Sequence, residues 1–320
     1  MPIRFGIQTP QEGATYEALA THWREADALG FDSAWLDDHL YGVVRPPGEP
    51  QMEAWTLLSA LARETKRIEL GILVTCNSYR SPALVAKMAS TVDVISNGRF
   101  IHGMGAGWYQ SEYEGYGYDF PSPGVRLAQL DEALRLQKLL WTEERASFSG
   151  RHYRLEQAWC SPKPVRRPHP PILVGGGGER VLLRLVARHA DVWNNGGDVA
   201  ELGRKLGVLR RHCEAENRPY DAIEKSWFGN VIIDADAARA DARLRRLATA
   251  WGMSTEQMSA RALAGTPERV VERVREYAAL GITHFIGMFG RVDDLRSTRL
   301  FAERVIPAFA DGRVSQTVRF

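Results

Sequence analysis

Three stretches of the 320-residue chain carry side chains or backbone able to do chemistry. Asp37-Asp38-His39 follows the run Ser33-Ala-Trp-Leu36. A histidine there titrates near neutrality and can serve as acid or base, and a neighbouring carboxylate can orient its ring. An N-cap and turn cluster would use the same residues, so spacing leaves both readings open. Gly175-Gly176-Gly177-Gly178 separates the apolar Ile172-Leu-Val174 from a helical pattern. Glycines let backbone amides approach an anion, the helix N-terminus adds partial positive charge, and Arg180 in the first turn can add a charge-assisted contact. A plain tight turn would also take glycines, but four in a row exceed its need, and a phosphate site is the preferred reading. The third stretch runs from Val74 to Arg80, where an apolar strand gives way to a polar loop.

Other chemistries find less support. Asp37, Asp38, His39 and His102 are conceivable metal ligands, but no His-x-His or His-Glu-x-x-His pattern exists, and no metal is expected. The tetraglycine spacing is not the dinucleotide Gly-x-Gly-x-x-Gly with a downstream acid, and no Gly-x-Ser-x-Gly elbow is visible. His22, His152, His169, His189, His212 and His284 fall within helices, strands or connections and read as structural or surface groups. Lys87 and Asp93 sit inside a helix, as a solvated face or an ion pair. Net charge is +2, from 41 basic and 39 acidic residues, so no field exists to attract nucleic acid or an anionic membrane. Cys76, Cys160 and Cys213 lack the close spacing of zinc or disulfide frameworks, which suggests a reducing compartment. Met1-Pro-Ile-Arg4 leads straight into a strand without an apolar segment long enough for a signal peptide or a span. A soluble cytoplasmic protein is expected.

The elements that must position these groups alternate. Strands are predicted at Arg4–Gln8, Ser33–Asp37, from Gly71, at Phe100–Met104, Ile172–Val174, Ala190–Asn194, Trp227–Ile233 and Thr283–Met288, nearly all followed by helices. The helix after the third strand opens with Ser81-Pro82 and closes at Asn97-Gly98. Eight units argue for one (β/α)8 TIM barrel over residues 1–320, whose minimal form takes about 250 residues. The remainder goes to insertions at about 105–123 and 142–171. A doubly wound sheet is the runner-up. In the first insertion Trp108, Tyr109, Tyr113, Tyr116, Tyr118 and Phe120 crowd together, marking a functional loop or a satellite core. The second holds a hairpin over Ala146–Leu155 and a proline-rich extended connection, Ser161–Pro171.

Read together in this order, several stretches resemble the luciferase-like oxidoreductases, and particularly the branch using the deazaflavin coenzyme F420. They are Ala28-Leu-Gly-Phe-Asp-Ser-Ala-Trp35 with Asp38-His39, Tyr79-Arg-Ser-Pro82 with Asp93-Val-Ile-Ser-Asn-Gly-Arg99, Gly103-Met-Gly-Ala-Gly-Trp108 with Glu112, and Pro170-Pro-Ile-Leu-Val-Gly-Gly-Gly-Gly178. The resemblance implies a barrel with a flavin-like ring in its mouth, resting on a bulge with a non-proline cis peptide at Leu73-Val74. It implies a phosphate near Gly176 to Arg180, and His39, with Glu12, in catalysis. It further implies that Asp38, His39, Leu73, Val74, Thr75, Ala106, Gly107, Trp108, Gly175 to Gly178, Arg180, Trp193, Asn194 and Asn195 contact the cofactor. Tyr41, Val43, Tyr109 and Trp227 are expected to wall the substrate pocket. His102 stands where apolar residues are usual in the family, and Val43 where some members have tryptophan. The implied activity is hydride transfer between F420 and a small organic substrate by a homodimer. The alternatives are an FMN-dependent monooxygenase supplied by a separate reductase, a phosphate-sugar isomerase or metal hydrolase, and a cofactor-binding protein without catalysis.

Overall fold

The structure, a computed structural model, describes residues 2–43, 46 and 48–312. In chain order its elements are β1 (Arg4–Gln8), α1 (Tyr16–Ala28), β2 (Ser33–Leu36), α2 (Ala54–Glu64), β3 (Glu69–Ile72), β4 (Thr75–Cys76), α3 (Pro82–Ile95), β5 (Phe100–Gly105), α4 (Gln110–Gly115), α5 (Pro123–Thr142), β6 (Arg145–Ser149), β7 (Arg154–Trp159), β8 (Ile172–Gly175), α6 (Leu182–His189), β9 (Val192–Asn195), α7 (Val199–Ala215), β10 (Glu224–Ile233), α8 (Ala237–Ala250), α9 (Thr255–Arg261), β11 (Leu263–Gly265), α10 (Pro267–Ala278), β12 (His284–Met288) and α11 (Arg296–Arg304). Local chemistry accounts for many of the boundaries. Thr15, Glu53, Asp198, Asp236 and Ser254 each accept a first-turn amide at a helix N-cap. Ser81 makes no such side-chain bond, and α3 starts instead on the fixed φ of Pro82.

Strands β1, β2, β3, β5, β8, β9, β10 and β12 form the expected (β/α)8 barrel. Each neighbouring pair is parallel, and the pairings β9 with β10, β10 with β12 and β12 with β1 close the ring, which removes the doubly wound alternative. Two short strands lie outside the predicted eight: β4 pairs with β5 beyond the bulge, and β11 pairs with the end of β10. Residues 145–159 form the predicted hairpin, β6 with β7. The proline-rich connection is tied down by the Arg166 amide, which donates to Asp93 Oδ2 at 3.0 Å, and by the Lys87 ammonium on the Ser161 carbonyl. Asp93 is therefore a fully buried acceptor and not a solvated helix residue.

The barrel is plugged at the amino ends of its strands, which leaves the other end for a site. Arg4 pairs with Glu69 and Glu224, and Arg166 pairs with Glu69. Ser33 Oγ meets His284 Nε2 at 2.7 Å and accepts the Trp35 indole N–H at 2.8 Å. Inside, Trp35, Ile101, Leu173, Val192 and Ile286 stack, with Leu73, Val74 and Phe228 above them. Space for these side chains comes from glycines on facing strands. A Cβ on Gly71 would lie 2.5 Å from the Trp35 ring. Above it, a Cβ on Gly105 would lie 2.6 Å from Val74 Cγ2, and one on Gly175 would lie 2.9 Å from Val74 Cγ1. A valine is stiff at χ1 and cannot turn away from such a contact.

Gly105→Ala is therefore expected to destabilise the protein by roughly 1–3 kcal/mol through overpacking against Val74. The double change Gly105→Ala with Val74→Ala should restore much of the loss, as a chemical-denaturation double-mutant cycle would measure.

Candidate active site

The carboxyl ends of β2, β3, β5 and β8 meet at the open end of the barrel. Between β3 and β4 the chain bulges inward, and the Leu73-Val74 peptide is cis, as the resemblance implies. Because Val74 touches the space beside both Gly105 and Gly175, the bulge and the tetraglycine turn lie at one end and side by side. A cleft above the bulge is lined by Asp37, Asp38, His39, Leu73, Val74, Thr75, Cys76, Tyr79, Gly105, Gly107, Trp108 and Tyr109. Its cavity is about 130 Å³. Pockets that bury a ligand whole run to roughly 300–1,000 Å³.

His39 sits at the lip of this cleft, 22% exposed at its side chain. Its Nδ1 is 2.8 Å from Glu112 Oε2, and Trp108 and Tyr109 approach it edge-on with centroids 5.8 and 6.1 Å away. Glu112 is fully buried on α4. It accepts from Tyr79 Oη at 2.8 Å and from the Leu40 amide at 2.5 Å as well. Burial alone would raise its pKa, but these bonds hold the carboxyl below the usual range. Burial likewise disfavours protonated His39, yet the Glu112 bond and the charges of Asp37, Glu112 and Asp38 outweigh it and raise the imidazole. With Nδ1 engaged by Glu112, Nε2 is the nitrogen that faces the cleft with no protein partner among the described residues.

The aromatic insertion forms the satellite core that its composition suggested. Tyr113 and Phe120 build a satellite core with Cys76 and Tyr79. That core fixes α4, and α4 delivers Glu112. Tyr41 donates to or accepts from Ser111 Oγ at 2.8 Å and lies 6.1 Å from Tyr109, so both tyrosines wall the mouth. The Val43 amide donates to Glu12 Oε1 at 2.7 Å, which ties Glu12, on the loop after β1, to the loop after β2. Asp38 lines the cleft but commits its carboxylate to structure. It accepts two bonds from Arg80, 2.8 and 3.0 Å, and one from the Cys76 amide, 2.9 Å. Burial raises its pKa by more than Arg80 and the amide lower it, to about 6. Arg80 also pairs with Glu53, the cap of α2.

At the tetraglycine turn, the Gly176 amide donates to Asn194 O at 2.9 Å, whereas the amides of Gly177 and Gly178 meet no protein acceptor among the described residues. Arg180 is exposed in the turn that follows. Asn194 points into the barrel and donates to Ser226 Oγ at 2.8 Å, and Asn195 leans over Gly177. Two expectations fail. Trp193 is 1% exposed and faces the helical layer, where its indole N–H donates to Gly176 O at 2.8 Å; it supports the turn from behind and does not line the cleft. Trp227 is fully buried against Tyr277 and Phe285, centroids 5.7 and 6.2 Å away, on the outer face of β10, and its neighbour Phe228 takes the inward position. Strand alternation puts only one of two adjacent residues inside.

A planar ring with a phosphate tail fits these residues on two counts. Two turn amides are open, and the fully buried Thr75 Oγ1, in the cleft wall, has no partner among the described residues. An orphaned buried hydroxyl is costly unless something binds it. Ala106 and Gly107 follow β5 at the same rim, with Gly107 at a φ of 75°. Sequence reasoning gave neither Glu112 nor Tyr79 a role of its own. The density of tyrosine around Glu112 was the available signal for both.

Comparison with known proteins points the same way. Residues 1–253 match the family model described as luciferase-like monooxygenase. An F420-dependent glucose-6-phosphate dehydrogenase from Kineococcus radiotolerans is 29% identical over 337 residues, covering 96% of this chain and 97% of the relative. An F420-dependent secondary alcohol dehydrogenase, solved with an F420–acetone adduct, superposes with a TM-score of 0.86 at 22% identity, over 97% of this chain and 100% of the other. The F420-dependent tetrahydromethanopterin reductase from Methanopyrus kandleri gives 0.82 at 19% identity, with 97% and 100% covered. These two likenesses establish the fold. The chain is a member of the luciferase-like monooxygenase family.

Proposed function

We propose that this protein is an F420-dependent oxidoreductase that moves a hydride to or from a small organic substrate, an alcohol or carbonyl or an activated double bond. The observation that carries the reading is the placement of the Leu73-Val74 bulge, the open tetraglycine turn and the His39–Glu112 pair around one cleft, together with full-length relatives named for F420. Bound there, a deazaflavin supplies two-electron hydride chemistry, its ring carbon replacing the flavin nitrogen that supports oxygen activation. The chain's own residues hold and orient. Leu73, Val74, Thr75 and Gly107 would contact the ring, Gly176 to Arg180 the phosphate, and Trp108, Tyr109 and Tyr41 would exclude water from above. His39 would manage the substrate proton at Nε2, while Glu112 fixes the ring orientation through Nδ1 and favours the imidazolium that forms when the proton arrives. Glu12, beside Val43, would act from the facing loop. A homodimer is the assembly this reading carries with it.

Titration of the purified protein with F420 and with FMN, followed by cofactor fluorescence, is expected to show tighter binding of F420. Binding of FMN alone would replace this reading with that of a two-component monooxygenase. His39→Ala should lower turnover by about 10²–10⁴-fold, the usual contribution of a general acid or base, with F420 affinity nearly unchanged. Turnover at the wild-type rate would remove His39 from the mechanism.

Glu112→Gln should lower the His39 pKa, measured by NMR titration of its ring, and shift the histidine-dependent limb of the pH–rate profile to lower pH. The sign follows from a folded-state pKa above the free value. The pair's stabilisation is complete below the free histidine pKa and fades as pH rises through the folded one.

A further inference from the structure

A buried cation that the mechanism above does not use stands at the tetraglycine turn. Lys205, on α7, is 9% exposed. A Cβ on Gly177 would lie 2.3 Å from its ammonium nitrogen and 2.9 Å from Asn195 Oδ1. The lysine head is therefore packed directly over the third glycine of the turn. Among the described residues its one ion-pair partner is Glu201 Oε1, at 2.7 Å, and that carboxylate is shared with Arg261, whose Nη1 is 3.1 Å from Oε2. Two cations around one anion leave an excess of one positive charge beside the open amides of Gly177 and Gly178. Burying an ammonium costs several kcal/mol unless its charge is matched and its donors are used. Lys205 has three N–H donors and gives one to Glu201. A lysine serving only to pack α7 would gain nothing from standing where a glycine had to make room for it.

We propose that Lys205 is a ligand of the cofactor's tail phosphate, closing from the α7 side the anion site that the tetraglycine turn opens. The inference rests on the F420 reading and adds the residue that gives the turn its net charge. Glu201 sets the orientation of the lysine and limits the surplus to one charge, which matches the single negative charge of a phosphodiester better than the double charge of a phosphate monoester. Arg180, exposed on the outer side, can contribute only a solvent-screened contact.

The test compares two fluorescent probes, F420 and its riboflavin-level deazaflavin chromophore, which has the same ring and no phosphate. In Lys205→Met the F420 Kd is expected to rise about tenfold or more, the loss of one charge-assisted hydrogen bond, while the Kd of the chromophore stays at the wild-type value. Lys205→Arg, which keeps the charge, should recover most of the F420 affinity. Circular dichroism of each variant checks that the fold is intact. An F420 Kd unchanged in Lys205→Met, or equal losses for both probes, would overturn this inference and leave the F420 reading standing. A wild-type protein that binds the chromophore and F420 equally would overturn the phosphate site itself, and one that binds neither would overturn the F420 reading together with this inference.

Discussion

A branched side chain turned into the mouth of a closed barrel has room only where the facing strands present none of their own. Val74 is that side chain, and Gly105 and Gly175 are the positions that yield to it. The constraint joins three consecutive barrel strands, because the bulge follows β3, β5 supplies one glycine and β8 the other. It also ties the floor of the cleft to the tetraglycine turn, since the last residue of β8 is the first glycine of that turn. The bulge and the turn are thus neighbours by packing and not by loop flexibility, which is the sort of rigid support that binding geometry requires.

The electrostatics of the mouth are layered on this frame. Two carboxylates stand next to each other in sequence beside His39, and the structure gives them different work. Asp38 is held by Arg80 and the Cys76 amide, which locks the loop after β2 to the bulge. The group that sets the histidine is Glu112, brought in by the helix of the aromatic insertion and desolvated by it. A buried carboxylate with several donors stays ionised and raises its imidazole partner, whereas the same carboxylate on the surface would be screened to little effect. The tyrosine cluster therefore shapes the electrostatics of His39 at one remove, by burying its partner Glu112.

Much of this was legible along the chain because it depends on local pattern. The alternation of strands and helices, the start of α3 at Pro82, and the strand-end positions of Asp37–His39 and Gly175–Gly178 follow from spacing and residue type within short windows. Other boundaries moved by a residue or two, and β4 and β11 went unseen because each is only two or three residues long.

What spacing could not decide was which way a doubly buried strand faces and which distant residues meet. In a parallel barrel both faces of a strand are covered, so apolar residues occur at every position and alternation loses its polar marker. Trp193 and Trp227 were for that reason as eligible for the cleft as Asn194 and Phe228, and only the closed sheet assigned the tryptophans to the outer layer. The His39–Glu112 bond spans 73 residues and the seat of Lys205 over Gly177 crosses from one helix to another strand's turn. Composition and period determined that a barrel with a strand-end site would form; the packing of its layers chose the residues that line it, because that choice is made by contacts between segments whose sequences carry no record of one another.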